Sequence, residues 1–162
     1  MQPELIASVL VLLAVANGAP VLAKRLLGKS LAYPLDGGRS FSDGRPVFGP
    51  AKTIRGLVFS ILATSASAPA IGLSATSGGL VAAAAMAGDL ASSFVKRRMG
   101  YASSSRATGL DQLPESLLPA LACKGLLRLT VMDVILIVVL FTMAEMMLSR
   151  LLFKLHVRDQ PY

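Results

Sequence analysis

Apolar residues run in long uninterrupted blocks along this chain, separated by short polar stretches. The first block, residues 5–23, reads LIASVLVLLAVANGAPVLA, and a helix needs about 20 such residues to cross a bilayer. Further blocks cover 56–73, 78–95, 112–127 and 134–152. The pattern predicts an all-α integral membrane protein, one membrane domain over 1–162. It has about five transmembrane helices and two polar loops, 24–55 and 96–111. Pro114 and Pro119 interrupt the fourth block, so a short or broken helix is expected there. Asn17, Gly18 and Pro20 predict a kink or a loosened inner half in the first helix. Only SATSG, residues 74–78, separates the second and third helices. They should form a tight hairpin, packed closely through Ala, Ser and Gly. Asp133 is positioned to cap the last helix.

Composition agrees with a membrane protein and removes several alternatives. The chain is 54% hydrophobic with a mean hydropathy of +0.64, too apolar for an ordinary soluble domain. Cys123 stands alone, which excludes an internal disulfide and a thiolate metal cage. A net charge of +7 points here to cytoplasmic loops and anionic lipid, with no nucleic acid expected as partner. With five spans and the N-terminus outside, loop 24–55 carries seven cations, loop 96–111 four and the segment from Arg150 onward three; Lys124 and Arg128 alone fall on the other side. That asymmetry places both loops in the cytoplasm of a multi-pass protein of the cell membrane. The first helix has no Lys or Arg before it, unlike a secretory signal, and reads as retained. Lys24, Arg25 and Lys29 follow it as topology anchors. His156, in the tail, receives no role.

The first loop contains GKSLAYPLDGGRSFSDGRPVFGPAKTIR, residues 28–55. Asp36-Gly37-Gly38 and Asp43-Gly44 are turn signals, and Pro34, Pro46 and Pro50 forbid a continuous helix. Glycine-rich backbone beside cations can cradle phosphate oxygens. Gly44 and Gly49 have the GxxxxG spacing of a P-loop, but Pro50-Ala51 separates Gly49 from Lys52-Thr53 and no strand precedes it, so it is not a P-loop.

The second polar motif, GDLASSFVKRR at 88–98, starts with an acid inside an apolar helix. Asp89, Ser93 and Lys96 fall at i, i+4 and i+7 and share one helix face, with Ser92 beside them. A charged residue within a span usually faces protein or water. Two readings stay open on these residues alone. The stripe suits a metal-bound phosphate; equally, Asp89 pairs with Lys96 or Arg97 and the cations anchor the helix.

DGRPVFGPAKTIRG (43–56), GDLASSFVKRR (88–98) and LDQLPE (110–115) together resemble the CDP-archaeol synthase family, small membrane cytidylyltransferases related to CDP-diacylglycerol synthase. The likeness covers almost the whole chain. It implies transfer of CMP from CTP to a membrane lipid phosphate, an archaeol-type ether lipid phosphate or phosphatidate. Pyrophosphate would be released and Mg2+ required. By position it implies metal and triphosphate roles for Asp89, Lys96, Arg97 and Asp111, and for Asp43, Lys52 and Arg55. With the adjacent Gly44, Thr53, Ser93 and Arg98 these form the candidate site. Asp89, Asp111 and Lys96 are its catalytic members, Asp89 and Asp111 its metal ligands, and the rest bind substrate. Transfer between two polyanions needs positioning and charge neutralisation more than a covalent nucleophile. Residues 101–119, YASSSRATGLDQLPESLLP, depart from the archaeal pattern and leave the lipid open. The rival is a non-catalytic lipid-binding or small transport protein, with Glu145 in the last helix as its site. The Gly/Ala faces also allow a homodimer.

Overall fold

The computed structural model describes residues 1–103, 105, 107 and 109–154, with side chains up to residue 148. Arg106, His156 and the Arg150 side chain lie outside that description. Five α-helices follow in order, α1 (Pro3–Leu27), α2 (Ile54–Ser67), α3 (Ala75–Arg98), α4 (Gln112–Ala122) and α5 (Val131–Lys154). No β-strand occurs among the described residues; two isolated bridges lie in the first loop. Four stretches are long and apolar enough to cross a membrane: Pro3–Leu27, Ile54–Ile71, Ala75–Arg98 and Val131–Leu148.

α1 continues through Pro20 as helix. Proline leaves the carbonyl four residues earlier without its helical donor. That carbonyl, Ala16 C=O, accepts instead from the Ser60 hydroxyl of α2 at 2.8 Å. A freed backbone group inside a bilayer needs such a neighbour. Thr53 caps α2 by accepting the Gly56 N–H at 3.1 Å, and Ser74 caps α3 by accepting the Ser77 N–H at 3.1 Å. Between them the 3-10 turn Ala68–Ile71 ends at Gly72, whose φ is +78°. Closeness in this hairpin is steric: a Cβ on Gly78 would stand 2.5 Å from the Thr64 carbonyl oxygen and 2.8 Å from Ala68 Cβ.

α4 stops at Ala122 rather than continuing to 127. Its 11 residues extend about 16 Å, roughly half the hydrocarbon thickness. A non-helical stretch beyond it completes the return. The Gln2 side-chain amide donates to Arg128 C=O at 2.9 Å, and the Gln2 N–H donates to Asp133 Oδ1 at 3.1 Å. α1 and α5 therefore start at the same end of the bundle. Asp133 does not itself occupy the cap position. It accepts from the Thr130 N–H at 2.9 Å while its own N–H donates to Thr130 Oγ1 at 3.2 Å, a reciprocal capping box with the acid on the helical side.

Val9, Leu12, Leu13, Val81, Ala85, Ala120 and Ile137 form the buried centre. Many other apolar side chains face outward, among them Val21, Leu22, Phe59, Leu62 and Met147, as a lipid-facing surface requires. At the opposite end from Gln2 the two long loops come together, with Gly49 of the first against Ser103 of the second.

Candidate active site

The first loop is a folded structure with its own internal staples. At its base Leu35 N–H donates to Lys52 C=O at 2.7 Å and Ile54 N–H to Tyr33 C=O at 3.0 Å, which fixes where Lys52 leaves the backbone. Asp36 holds the middle: its carboxylate accepts the N–H groups of Gly38 at 3.0 Å and of Phe48 and Gly49 at 2.9 Å each. Burial opposes the charge on Asp36, but these three amides outweigh it and hold the carboxyl below its ordinary range. Asp36 thus organises the loop, with its acceptors spent on backbone.

The hairpin tip, residues 39–47, is clamped onto the end of α3. Asp43 pairs with the Arg98 guanidinium and accepts the Arg45 N–H at 3.1 Å. Arg98 also donates to the Arg45 carbonyl at 3.2 Å. Its guanidinium carbon lies 4.9 Å from the Phe41 ring centre and 5.0 Å from that of Phe94, with the two rings edge to face at 5.4 Å. Arg45 answers with a bond to the Arg98 carbonyl. Burial works against the Asp43 charge, yet the Arg45 amide and the Arg98 cation prevail and lower its pKa. Gly44 supplies the turn at φ +76°. Asp43, Gly44 and Arg98 are therefore brought together with one another, as a clasp.

Lys52 and Asp89 meet across the loop–helix boundary. The Lys52 ammonium is 2.5 Å and 2.6 Å from the two Asp89 carboxylate oxygens. Asp89 thus takes Lys52 as its partner, and not Lys96 or Arg97 of its own helix as one of the two open readings had it. Glu115 of α4 is within hydrogen-bond reach of Asp89, and Glu145 of α5 is close enough to act on its charge. Close approach of α3 and α4 makes this possible. Gly88 lets the α4 backbone in so tightly that a Cβ there would be 2.8 Å from the Glu115 nitrogen. Beside the ion pair is a cavity of about 110 Å³. Lys24, Lys52, Thr53, Arg55 and Asp89 line its polar side, and Pro20, Leu57, Met86 and Leu90 its apolar side. Arg55 is buried and donates to the Gly28 carbonyl at 3.2 Å and to that of Ser30.

A second charged group lies nearer the end of α3. The Lys96 ammonium is 2.7 Å from Asp111 Oδ1 and donates to the Ser105 carbonyl at 2.8 Å. The other Asp111 oxygen accepts the Ala107 N–H at 3.0 Å. Arg97 is buried, and its Nε has no hydrogen-bond partner among the described residues. Ser93 is buried one turn before Lys96 and Arg97. Asp89 and Asp111 thus have different partners, and among the described residues no three His, Cys, Asp or Glu side chains gather as a ready metal cage.

Sequence reasoning missed Glu115 and Lys24 as members of the site. Glu115 closes the LDQLPE motif and also falls in the stretch that departs from the archaeal pattern, and the sequence reading gives it no role in the site. Its spacing, four residues after Asp111, was the available signal. Lys24 was read as a topology anchor because a cation after an apolar helix usually is one. Its place in the cavity depends on where the loop returns, which spacing does not encode.

Residues 4–162 match the family model described as CarS-like, CDP-archaeol synthase. A CDP-archaeol synthase of Pyrobaculum calidifontis is 36% identical over 154 residues, covering 91% of each chain. One from Hyperthermus butylicus is 44% identical over 105 residues, a match that spans 60% of this chain and 59% of that protein. A solved structure described as an intramembrane enzyme for archaeal membrane lipids biosynthesis superposes with a TM-score of 0.75 at 31% identity, over 88% of this chain and 90% of the other. This multi-pass membrane chain belongs to the CDP-archaeol synthase family.

Proposed function

We propose that the chain is a CTP-dependent cytidylyltransferase that converts an archaeol-type ether lipid phosphate to a CDP-lipid. An oxygen of the lipid phosphomonoester attacks the α-phosphorus of CTP. The bond from that phosphorus to the bridging oxygen breaks, and pyrophosphate leaves with the electron pair. The observation that carries this reading is the Lys52–Asp89 ion pair, which joins the first two family motifs in one place beside a cavity. Membership in the family supports the nucleotide and the class of lipid.

The chemistry asks for cations that hold two polyanions in line. Lys96 and Arg97 are buried cations facing a single carboxylate, Asp111, so the end of α3 holds positive charge in excess of that acid. A triphosphate is a suitable counter-charge, and a guanidinium grips such oxygens in pairs. Lys52, paired with Asp89 at the cavity wall, can turn from that carboxylate to an incoming phosphate.

Mg2+ usually takes one or two carboxylates together with substrate phosphates. Asp89 with Glu115 offers such an all-oxygen set, and Asp111 a further carboxylate; the donor set fits. Bound there, the ion would neutralise triphosphate oxygens and polarise the α-phosphorus. The active end faces the cytoplasm, on the side of the basic loops, in the cell membrane. Incubating the solubilised protein with labelled CTP, Mg2+ and a panel of lipid phosphates tests the assignment. The ether lipid phosphate should be converted best, and phosphatidate more slowly. No product from any lipid would reject the activity.

A further inference from the structure

The cavity between α1, α2 and α3 contains three cations in different states of use. Lys52 is bonded to both oxygens of Asp89. Arg55 is turned to the carbonyls of Gly28 and Ser30. The Lys24 ammonium, exposed on the last turn of α1, makes no ion pair or hydrogen bond to a described residue. An uncommitted ammonium at the mouth of a cavity whose other cations are occupied is the group free to take an incoming anion.

Size argues which anion it is. About 110 Å³ is well under the roughly 300–1,000 Å³ of pockets that enclose a drug-sized ligand. A phosphate group fills such a space; a whole nucleotide would extend well outside it. The surroundings are amphiphilic in the same sense. Pro20, Leu57 and Leu90 wall the cavity, while Val21 and Leu22 beside Lys24, and Val58 beside Leu57, are exposed apolar side chains. A ligand with a charged head and apolar chains matches both features. Resting on the cytidylyltransferase reading, we propose that this cavity seats the acceptor's phosphomonoester and that Lys24 is the residue that binds it. Lys24 then determines acceptor affinity, while CTP is held elsewhere.

The test uses Lys24→Met and Lys24→Arg, with Arg25→Met as the control for a neighbouring surface cation that does not line the cavity. Thermal stability of the full chain is measured in neutral-lipid nanodiscs, without CTP, on adding a lipid phosphomonoester or the matching lipid alcohol. Wild type, Arg25→Met and Lys24→Arg should be stabilised by the phosphate form only, and Lys24→Met should lose that response while keeping its unliganded Tm. In turnover, Lys24→Met should raise KM for the lipid phosphate about ten- to a hundredfold, with KM for CTP unchanged. If Lys24→Met behaves like Arg25→Met, or if KM for CTP rises in place of that for lipid, the assignment is wrong. Absence of a phosphate-dependent shift in wild type also overturns it. A wild type that forms no CDP-lipid but shows the Lys24-dependent shift rejects the enzymatic reading and leaves the phosphate seat standing.

Discussion

The Lys52 ammonium bridges both carboxylate oxygens of Asp89, at 2.5 Å and 2.6 Å, and so ties the first loop to the third helix. One residue comes from a segment closed at its base by backbone pairing, the other from a helix wedged against α4 at Gly88. Neither motif could build the site alone.

Asp89→Asn should abolish turnover, losing at least a hundredfold in kcat, because the amide cannot supply the negative charge. Lys52→Met should also fall steeply. The pair is partly exposed, at 25% and 21% of the side chains. Its rupture should therefore cost between the about 1 kcal/mol of an exposed pair and the roughly 3–5 kcal/mol of breaking a buried one. Activity and thermal unfolding of both single mutants and the double mutant check this. A double mutant no less stable than Asp89→Asn alone would confirm the coupling; strictly additive losses would contradict it.

Two glycines separate packing from function. Gly88→Ala places a methyl against the Pro114 carbonyl and 2.8 Å from the Glu115 nitrogen, so α4 must move. Gly78→Ala meets the Thr64 carbonyl oxygen at 2.5 Å, far along α3 from Asp89. Overpacking costs about 1–3 kcal/mol in either place. Both variants should unfold at lower temperature, but only Gly88→Ala should lose activity well below its own Tm, because it separates Glu115 from Asp89. Equal specific activity in the two would defeat that distinction.

The helical blocks were legible because a bilayer demands long apolar runs, and each run is visible in one dimension. The ends were less so. α4 runs through Pro119 and ends at Ala122, and α1 runs through Pro20, where Ser60, 44 residues away, donates to the Ala16 carbonyl that the proline leaves free. The charged residues of the site were legible as types and not as pairs. Asp89 has Lys96 and Arg97 on its own helix, yet takes Lys52 because the loop's internal staples deliver it there. Asp36 was read as a turn residue; the three amides on its carboxylate show how much of the loop depends on it.

Loop integrity should follow the state of Asp36. Its folded pKa is lowered from 3.8, so the folded loop favours the ionised form. The resulting stability is fully present above the unfolded value and disappears as pH falls through the folded one. Hydrogen exchange of residues 28–53 should be flat from neutral pH down to about 4 and rise below it, after correction for intrinsic rates. Asp36→Asn should show the faster exchange already at neutral pH.

Arg97 and Lys96 should govern nucleotide use. Arg97→Met or Lys96→Met should raise KM for CTP by about ten- to a hundredfold, since a lost charge-assisted bond is worth about 1.5–3 kcal/mol. Asp111→Asn leaves two buried cations without their counter-charge and should also lower Tm. Steady-state kinetics with CTP varied at saturating lipid phosphate decides it. An unchanged KM for CTP in Arg97→Met would remove that residue from the triphosphate site.

The most direct test of the cytidylyltransferase reading follows the label from each end of the triphosphate. Purified protein is given an ether lipid phosphate, Mg2+ and CTP labelled at the α- or the γ-phosphorus. Label from the α position should enter the lipid phase, and an equal amount from the γ position should appear as pyrophosphate, both abolished by EDTA and by Asp89→Asn. Label from the γ position in the lipid, or inorganic phosphate in place of pyrophosphate, would contradict attack at the α-phosphorus.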